Sequence, residues 1–145
     1  MNIKSITKIS TIIILTLISI LVLNACSKPN QKVNTTTTIN NQSSFEQITQ
    51  TEAKNIMDTQ DDYIILDVRT IEEYNDGHIK GAILIPDYEI ATKAKDELKN
   101  KNQLILVYCR SGRRSKLASQ ELANQGYTNI KEFGGINTWQ YDIVK

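Results

Sequence analysis

Histidine occurs once in these 145 residues, tryptophan once, and cysteine only twice. One histidine, with no clustered His, Cys, Asp and Glu at ligand spacing, excludes a metal centre of the usual donor sets, and no cofactor is expected. Two cysteines are too few for a disulfide framework. Charge of one sign is also missing: 17 basic residues stand against 16 acidic ones, a net charge of +1. A nucleic-acid binder would carry a broad basic excess, so nucleic acid is excluded as a general partner. No internal repeat is present, and the length suits one domain with a modest core.

Long apolar runs are absent too, with one short exception. Thr11 to Leu23 is nearly unbroken, but its 13 residues span a bilayer poorly and instead fit the apolar region of a signal peptide, with Lys4 and Lys8 ahead of it. The run ends in Leu23-Asn24-Ala25-Cys26, which resembles a bacterial lipobox, with Asn24 a less usual choice at its position. The expectation is a signal peptide over 1–25 and lipidation of Cys26 by two or more acyl chains. That would hold the protein at the outer face of the cell membrane. The alternative is an uncleaved anchor with Cys26 a bystander.

Residues 27–44, SKPNQKVNTTTTINNQSS, hold almost nothing that could build a core. Such a stretch cannot offset its ordering entropy, so 26–44 is expected to be the lipidated cysteine and a disordered tether, reaching roughly 60 Å when extended. The domain is then 45–145, with 13 basic and 16 acidic residues. In this acidic domain, Arg110, Arg113, Arg114 and Lys116 fall within seven consecutive positions.

Elements alternate along the domain. Short strands are expected at Phe45 to Ile48, Tyr63 to Asp67, Ala82 to Ile85, Gln103 to Tyr108 and Ile130 to Phe133. Helices are expected from Thr49 to Met57, Thr70 to Tyr74, Tyr88 to Leu98, Arg114 to Asn124 and Ile136 to Tyr141. This alternation predicts an α/β fold of three layers, a small mostly parallel sheet with helices on both faces.

In such sheets ligands bind beyond the carboxyl ends of the strands. Cys109 falls there, between a strand and a helix. Successive backbone N–H groups in that loop can form an anion nest, and the helix start adds positive potential. Gly112 lets the loop curl tightly. A thiol in this setting has a depressed pKa and is nucleophilic, whereas three following arginines suit no inert buried cysteine. With Cys26 lipidated, Cys109 has no partner in the chain.

The stretch Cys109-Arg110-Ser111-Gly112-Arg113-Arg114-Ser115 resembles the active-site loop of the rhodanese family of sulfurtransferases. So do Asp67-Val68-Arg69, Glu73-Tyr74, Gly77-His78-Ile79-Lys80-Gly81-Ala82 with Ile85-Pro86, and the terminal Gly134-Gly135-Ile136-Asn137-Thr138-Trp139. Leu84 stands where the family usually has asparagine. The resemblance implies catalysis by Cys109, which would take sulfur from a small anionic donor such as thiosulfate and pass it as a persulfide to a thiol or cyanide. Arg110, Ser111, Gly112, Arg113 and Arg114 would bind the substrate, their backbone N–H groups forming the cradle. The side chains of Arg110 and Arg113 are the candidates for steering anions.

Asp67 and Arg69 are expected to support the loop through a polar network, and Arg69 has Glu73 in pairing range four residues on. His78 is expected to bond backbone, with an acid/base role as the alternative, and Trp139 to pack in the core under the loop end. A monomer is expected. Two other functions compete. Phosphatases and arsenate reductases of related fold place five residues between cysteine and arginine, whereas four separate Cys109 from Arg114. A non-catalytic binding module would commonly lack the cysteine.

Overall fold

The computed structural model describes residues 44–145. The expected signal peptide over 1–25, Cys26 and nearly all of the expected tether therefore lie outside the described residues. Five strands, β1 (Glu46–Gln47), β2 (Tyr63–Asp67), β3 (Ile83–Leu84), β4 (Leu104–Cys109) and β5 (Ile130–Gly135), form one sheet in the order β1-β5-β4-β2-β3. Every pairing is parallel. Four α-helices connect them: α1 (Gln50–Thr59), α2 (Ile71–Asp76), α3 (Ile90–Glu97) and α4 (Arg113–Asn124).

The central strand explains the layering. All six residues of β4 are buried, which requires cover on both faces. Side chains alternate across a strand, so Ile105, Val107 and Cys109 point one way and Leu104, Leu106 and Tyr108 the other. The first set packs with Ile90, Ala94 and Leu98 of the α3 region and Ala118 and Leu122 of α4. The second packs with Ala53 and Ile56 of α1, Tyr74 of α2 and Phe133. The three-layer α/β fold expected from the alternation is the fold observed.

Both α1 and α2 begin with a reciprocal cap. Thr49 accepts from the Glu52 N–H while Glu52 accepts from the Thr49 N–H, and Thr70 and Glu73 repeat the pattern. Each satisfies orphan donors that a first turn leaves open.

The expected last helix is a correction. Only one 3-10 turn, Ile136–Thr138, forms, and Trp139 is extended at φ −68°, ψ 121°. This geometry sets its ring 5.5 Å from Phe133 of β5, against the sheet, and 4.8 Å from Tyr141 further along the chain. The chain then runs back so that Val144 bridges His78. The third expected helix is also divided, a 3-10 turn at Asp87–Glu89 preceding α3.

Candidate active site

Cys109 ends β4, and three residues later the chain turns into α4. The turn is made at Gly112, whose φ of +96° favours glycine. Its N–H donates to Cys109 Sγ over 3.1 Å. Burial pushes the Cys109 thiol up, but the Ser115 hydroxyl and the N–H groups of Ser115, Ser111 and Gly112 outweigh it, and the thiol falls below its ordinary value. Donors directed at the charged form have that effect. The cysteine itself is 1% exposed.

The loop rests on the end of β5. The Asn137 N–H donates to the Arg110 carbonyl over 3.2 Å. A β-carbon on Gly135 would lie 2.3 Å from that carbonyl oxygen, so only glycine lets the strand approach so closely.

The three arginines do different things. Arg110 and Arg113 are exposed, and Arg110 lines a shallow cleft with Arg69, Glu73, Asp76, Ile136 and Asn137. Arg114 turns instead to α2, where its two terminal nitrogens bond the two oxygens of Glu73 at 2.7 and 2.8 Å. This fork is the strong, bidentate form of the pair.

Arg69 does not pair with Glu73, as its spacing suggests. Its Nε and Nη2 bond the Asp67 carboxylate at 2.9 and 2.6 Å, and Nη2 also donates to the Gly77 carbonyl at 2.7 Å. A buried guanidinium needs several acceptors at once, and Asp67 and Gly77 supply them where Glu73 is already taken. Arg69 so ties the two ends of α2 together, and α2 presents Glu73 to Arg114. Asp67 and Arg69 therefore bear on the loop through this helix, by way of Glu73 and Arg114. On the same face the Tyr108 hydroxyl accepts from the Ile79 N–H at 3.2 Å. His78 stacks on Tyr74 at 3.7 Å, and its Nδ1 lies 3.0 Å from the Tyr74 carbonyl. Trp139 packs on the face opposite Cys109, among the Tyr108 cluster.

The Arg114 fork holds the Glu73 carboxyl down at about 2, from 4.5. A carboxyl lowered by folding stabilises fully above its unfolded pKa, and that stability is lost as pH falls through the folded one. With side chains 18% and 26% exposed, solvent screening leaves on the order of 1–2 kcal/mol at neutral pH. The melting temperature of the wild type is therefore expected to fall more steeply between pH 4.5 and 2 than that of Glu73→Gln. Parallel melting curves over that range would overturn the assignment.

Two residues of the site were given no role from the sequence, although Ser115 closes the loop motif. Ser115 is fully buried, and its Oγ lies 2.6 Å from an oxygen of Glu132, which is 2% exposed. That Glu132 oxygen also accepts from the Gly134 N–H at 2.9 Å. The signal for Glu132 was faint: an acid between Ile130 and Phe133 in a strand next to the central one.

The Rhodanese-like domain profile matches residues 49–142. The thiosulfate sulfurtransferase PspE of Escherichia coli (strain K12) is 38% identical over 80 residues, which cover 55% of this chain and 77% of that protein. The putative sulfur carrier protein YrkF of Bacillus subtilis (strain 168) is 39% identical over 100 residues, 68% of this chain and only 53% of that one. Among solved structures, a rhodanese with anions from E. coli superposes with a TM-score of 0.54 at 35% identity, covering 57% of this chain and 98% of its own. Loop, fold and these likenesses agree, and the chain belongs to the rhodanese-like family.

Proposed function

We propose that this protein is a sulfurtransferase that carries sulfane sulfur on Cys109, from a small anionic donor such as thiosulfate to a thiol or cyanide. The observation that carries the reading is the Gly112 N–H aimed at Cys109 Sγ over 3.1 Å, at the head of a 12-residue helix. A sulfur held this way is stabilised as the thiolate, the form that attacks the donor and that leaves to the acceptor.

In the first half-reaction the Cys109 thiolate attacks the outer sulfur of thiosulfate. A new S–S bond forms, the old one breaks, and sulfite leaves with the bonding pair. In the second, the acceptor attacks the outer sulfur of Cys109–S–S⁻ and the Cys109 thiolate leaves. The enzyme returns unchanged, and two easier displacements replace one difficult transfer. At 1% exposure, Cys109 suits a small reactive group presented end-on. Exposed Arg110 and Arg113 add positive potential at the rim.

Arg114 favours sulfur over phosphoryl chemistry. A phosphatase-type loop needs its arginine on the oxyanion, whereas this guanidinium is committed to Glu73 at 2.7 and 2.8 Å. The full chain incubated with thiosulfate is expected to gain the mass of one sulfur atom. Hydrolysis of p-nitrophenyl phosphate without any adduct would establish the phosphatase reading instead, and inertness to both would favour a binding module.

We further propose that the protein works at the outer face of the membrane, held by lipid on Cys26. The lipobox-like Leu23-Asn24-Ala25-Cys26 after a short apolar run supports this. Cys26→Ala is expected to move the protein from the detergent phase to the aqueous phase, and unchanged partitioning would sink the idea.

A further inference from the structure

Gln50, the first residue of α1, takes no part in the two displacements above, yet its side chain reaches the segment on which the sulfur loop is seated. Its amide nitrogen donates to the Gly135 carbonyl over 2.7 Å and to the Thr138 hydroxyl over 3.0 Å. The Thr138 hydroxyl gives its own proton to the same Gly135 carbonyl, over 3.1 Å. A primary amide has two N–H donors and a carbonyl oxygen two lone pairs, so this set closes on itself. Gly135 precedes the 3-10 turn Ile136–Thr138 and Thr138 ends it. One side chain therefore pins both ends of the turn.

What the turn holds is the loop. From its middle, the Asn137 N–H donates to the Arg110 carbonyl over 3.2 Å. Gly135 lies against the same peptide unit, whose carbonyl oxygen and following Ser111 Cα would stand 2.3 and 2.5 Å from a β-carbon there. A peptide unit is planar and turns as one body. Holding the Arg110 carbonyl thus fixes Ser111 Cα, the pivot of the next unit, which carries the Gly112 N–H that donates to Cys109 Sγ over 3.1 Å.

We propose that Gln50 is a positioning residue of the sulfur site: by pinning both ends of the Ile136–Thr138 turn, it seats the Arg110–Ser111 peptide and so keeps the Gly112 N–H on the Cys109 sulfur. The inference rests on Cys109 being the sulfur carrier. Through Gln50, α1 bears on a site at the head of α4, although the two helices pack on opposite faces of the sheet. The role depends on donation. A side chain of similar length without an N–H holds neither oxygen.

The experiment compares Gln50→Met with the wild type as full chains. Iodoacetamide alkylation at Cys109 is followed against pH by peptide mass, so that Cys26 is counted separately, and sulfur uptake from thiosulfate is followed by intact mass. The charged groups about the sulfur keep their charges in this neutral exchange: Arg110 in the loop, Arg114 with Glu73, Asp87 after β3, Glu132 on β5, and Asp67 with Arg69 at the end of β2. With the Gly112 N–H no longer held in line, the apparent thiol pKa is expected to rise by roughly half to one unit, about the value of one hydrogen bond. Sulfur uptake is expected to slow about tenfold. Thr138→Val removes one of the two acceptors and keeps the shape. It is expected to shift the thiol the same way by less, and it tests the clamp if the methionine variant does not fold. Glu52→Ala breaks the reciprocal cap of the same helix and is expected to lower the melting temperature while leaving the thiol pKa in place. A thiol pKa unmoved by both Gln50→Met and Thr138→Val, or moved as far by Glu52→Ala, would overturn the proposal. Alkylation needs no sulfur donor, so failure of the sulfurtransferase reading would show separately, as a missing sulfur adduct in the wild type.

Discussion

Cys109→Ser is expected to take up no sulfur from thiosulfate, with at least a thousandfold loss in turnover on any acceptor, while the fold persists. The size of the loss follows from the chemistry of the atom. A serine hydroxyl is not ionised by the donors that act on the thiol, and oxygen in that place forms no persulfide. What remains is binding of anions at the loop, which accelerates nothing by itself. The substitution is nearly isosteric, but Cys109 packs among Leu66, Val107 and Ala118 in the core cluster. Placing a hydroxyl there costs on the order of 1 kcal/mol, offset in part because the Gly112 N–H still has an acceptor. Intact mass after thiosulfate and a thermal melt give the two readouts. Sulfur uptake by the serine variant would place the carrier elsewhere in the chain, and loss of the fold along with the activity would leave a core role for the cysteine.

Some of this site was legible in the residues alone, and the division has a physical basis. The six-residue run of β4, the cysteine at its end and the glycine before α4 are local features. Burial on both faces demands continuous apolar residues, and a tight turn at φ +96° demands glycine. Contacts between distant segments leave no such mark. Arg114 meets Glu73 from 41 residues away, and nothing in the spacing of either announces the other. The pairing that spacing did suggest, Arg69 with Glu73, lost to Asp67, which lies two residues from Arg69 at a strand end where both are buried. Trp139 fell within the expected helix Ile136 to Tyr141, of which only the turn Ile136–Thr138 forms. Its ring is instead drawn to Phe133 and Tyr141, a preference only the packed sheet creates. Glu132 shows the limit most clearly. An acid in a strand pattern reads as solvent-facing, and only the Ser115 hydroxyl and Gly134 N–H explain its burial.

Gly135→Ala is expected to be the most damaging small substitution in the domain. The residue sits at φ −133°, ψ 144°, extended backbone that alanine adopts without strain, so the whole effect is steric. Its new methyl group would lie 2.3 Å from the Arg110 carbonyl oxygen and 2.5 Å from Ser111 Cα. Both are backbone atoms and cannot rotate away. Either β5 withdraws from β4, where Gly135 is in register with Cys109, or the loop lifts. The first costs sheet packing and the second displaces the Gly112 N–H from the sulfur. Overpacking of this kind costs about 3 kcal/mol, a fall in melting temperature of roughly 10–20 °C for a domain of this size. Losing the alignment of one donor should slow sulfur uptake about 10–100-fold in the variant that remains folded. Gly134→Ala separates strain from collision. Its φ of +93° penalises alanine by about 1 kcal/mol, but the new methyl meets nothing nearer than Gln50 Nε2 at 3.9 Å. That variant is expected to melt a few degrees lower and to load sulfur close to the wild-type rate. Equal damage from the two alanines would show that conformation, and not the seat of the loop on β5, governs this corner of the site.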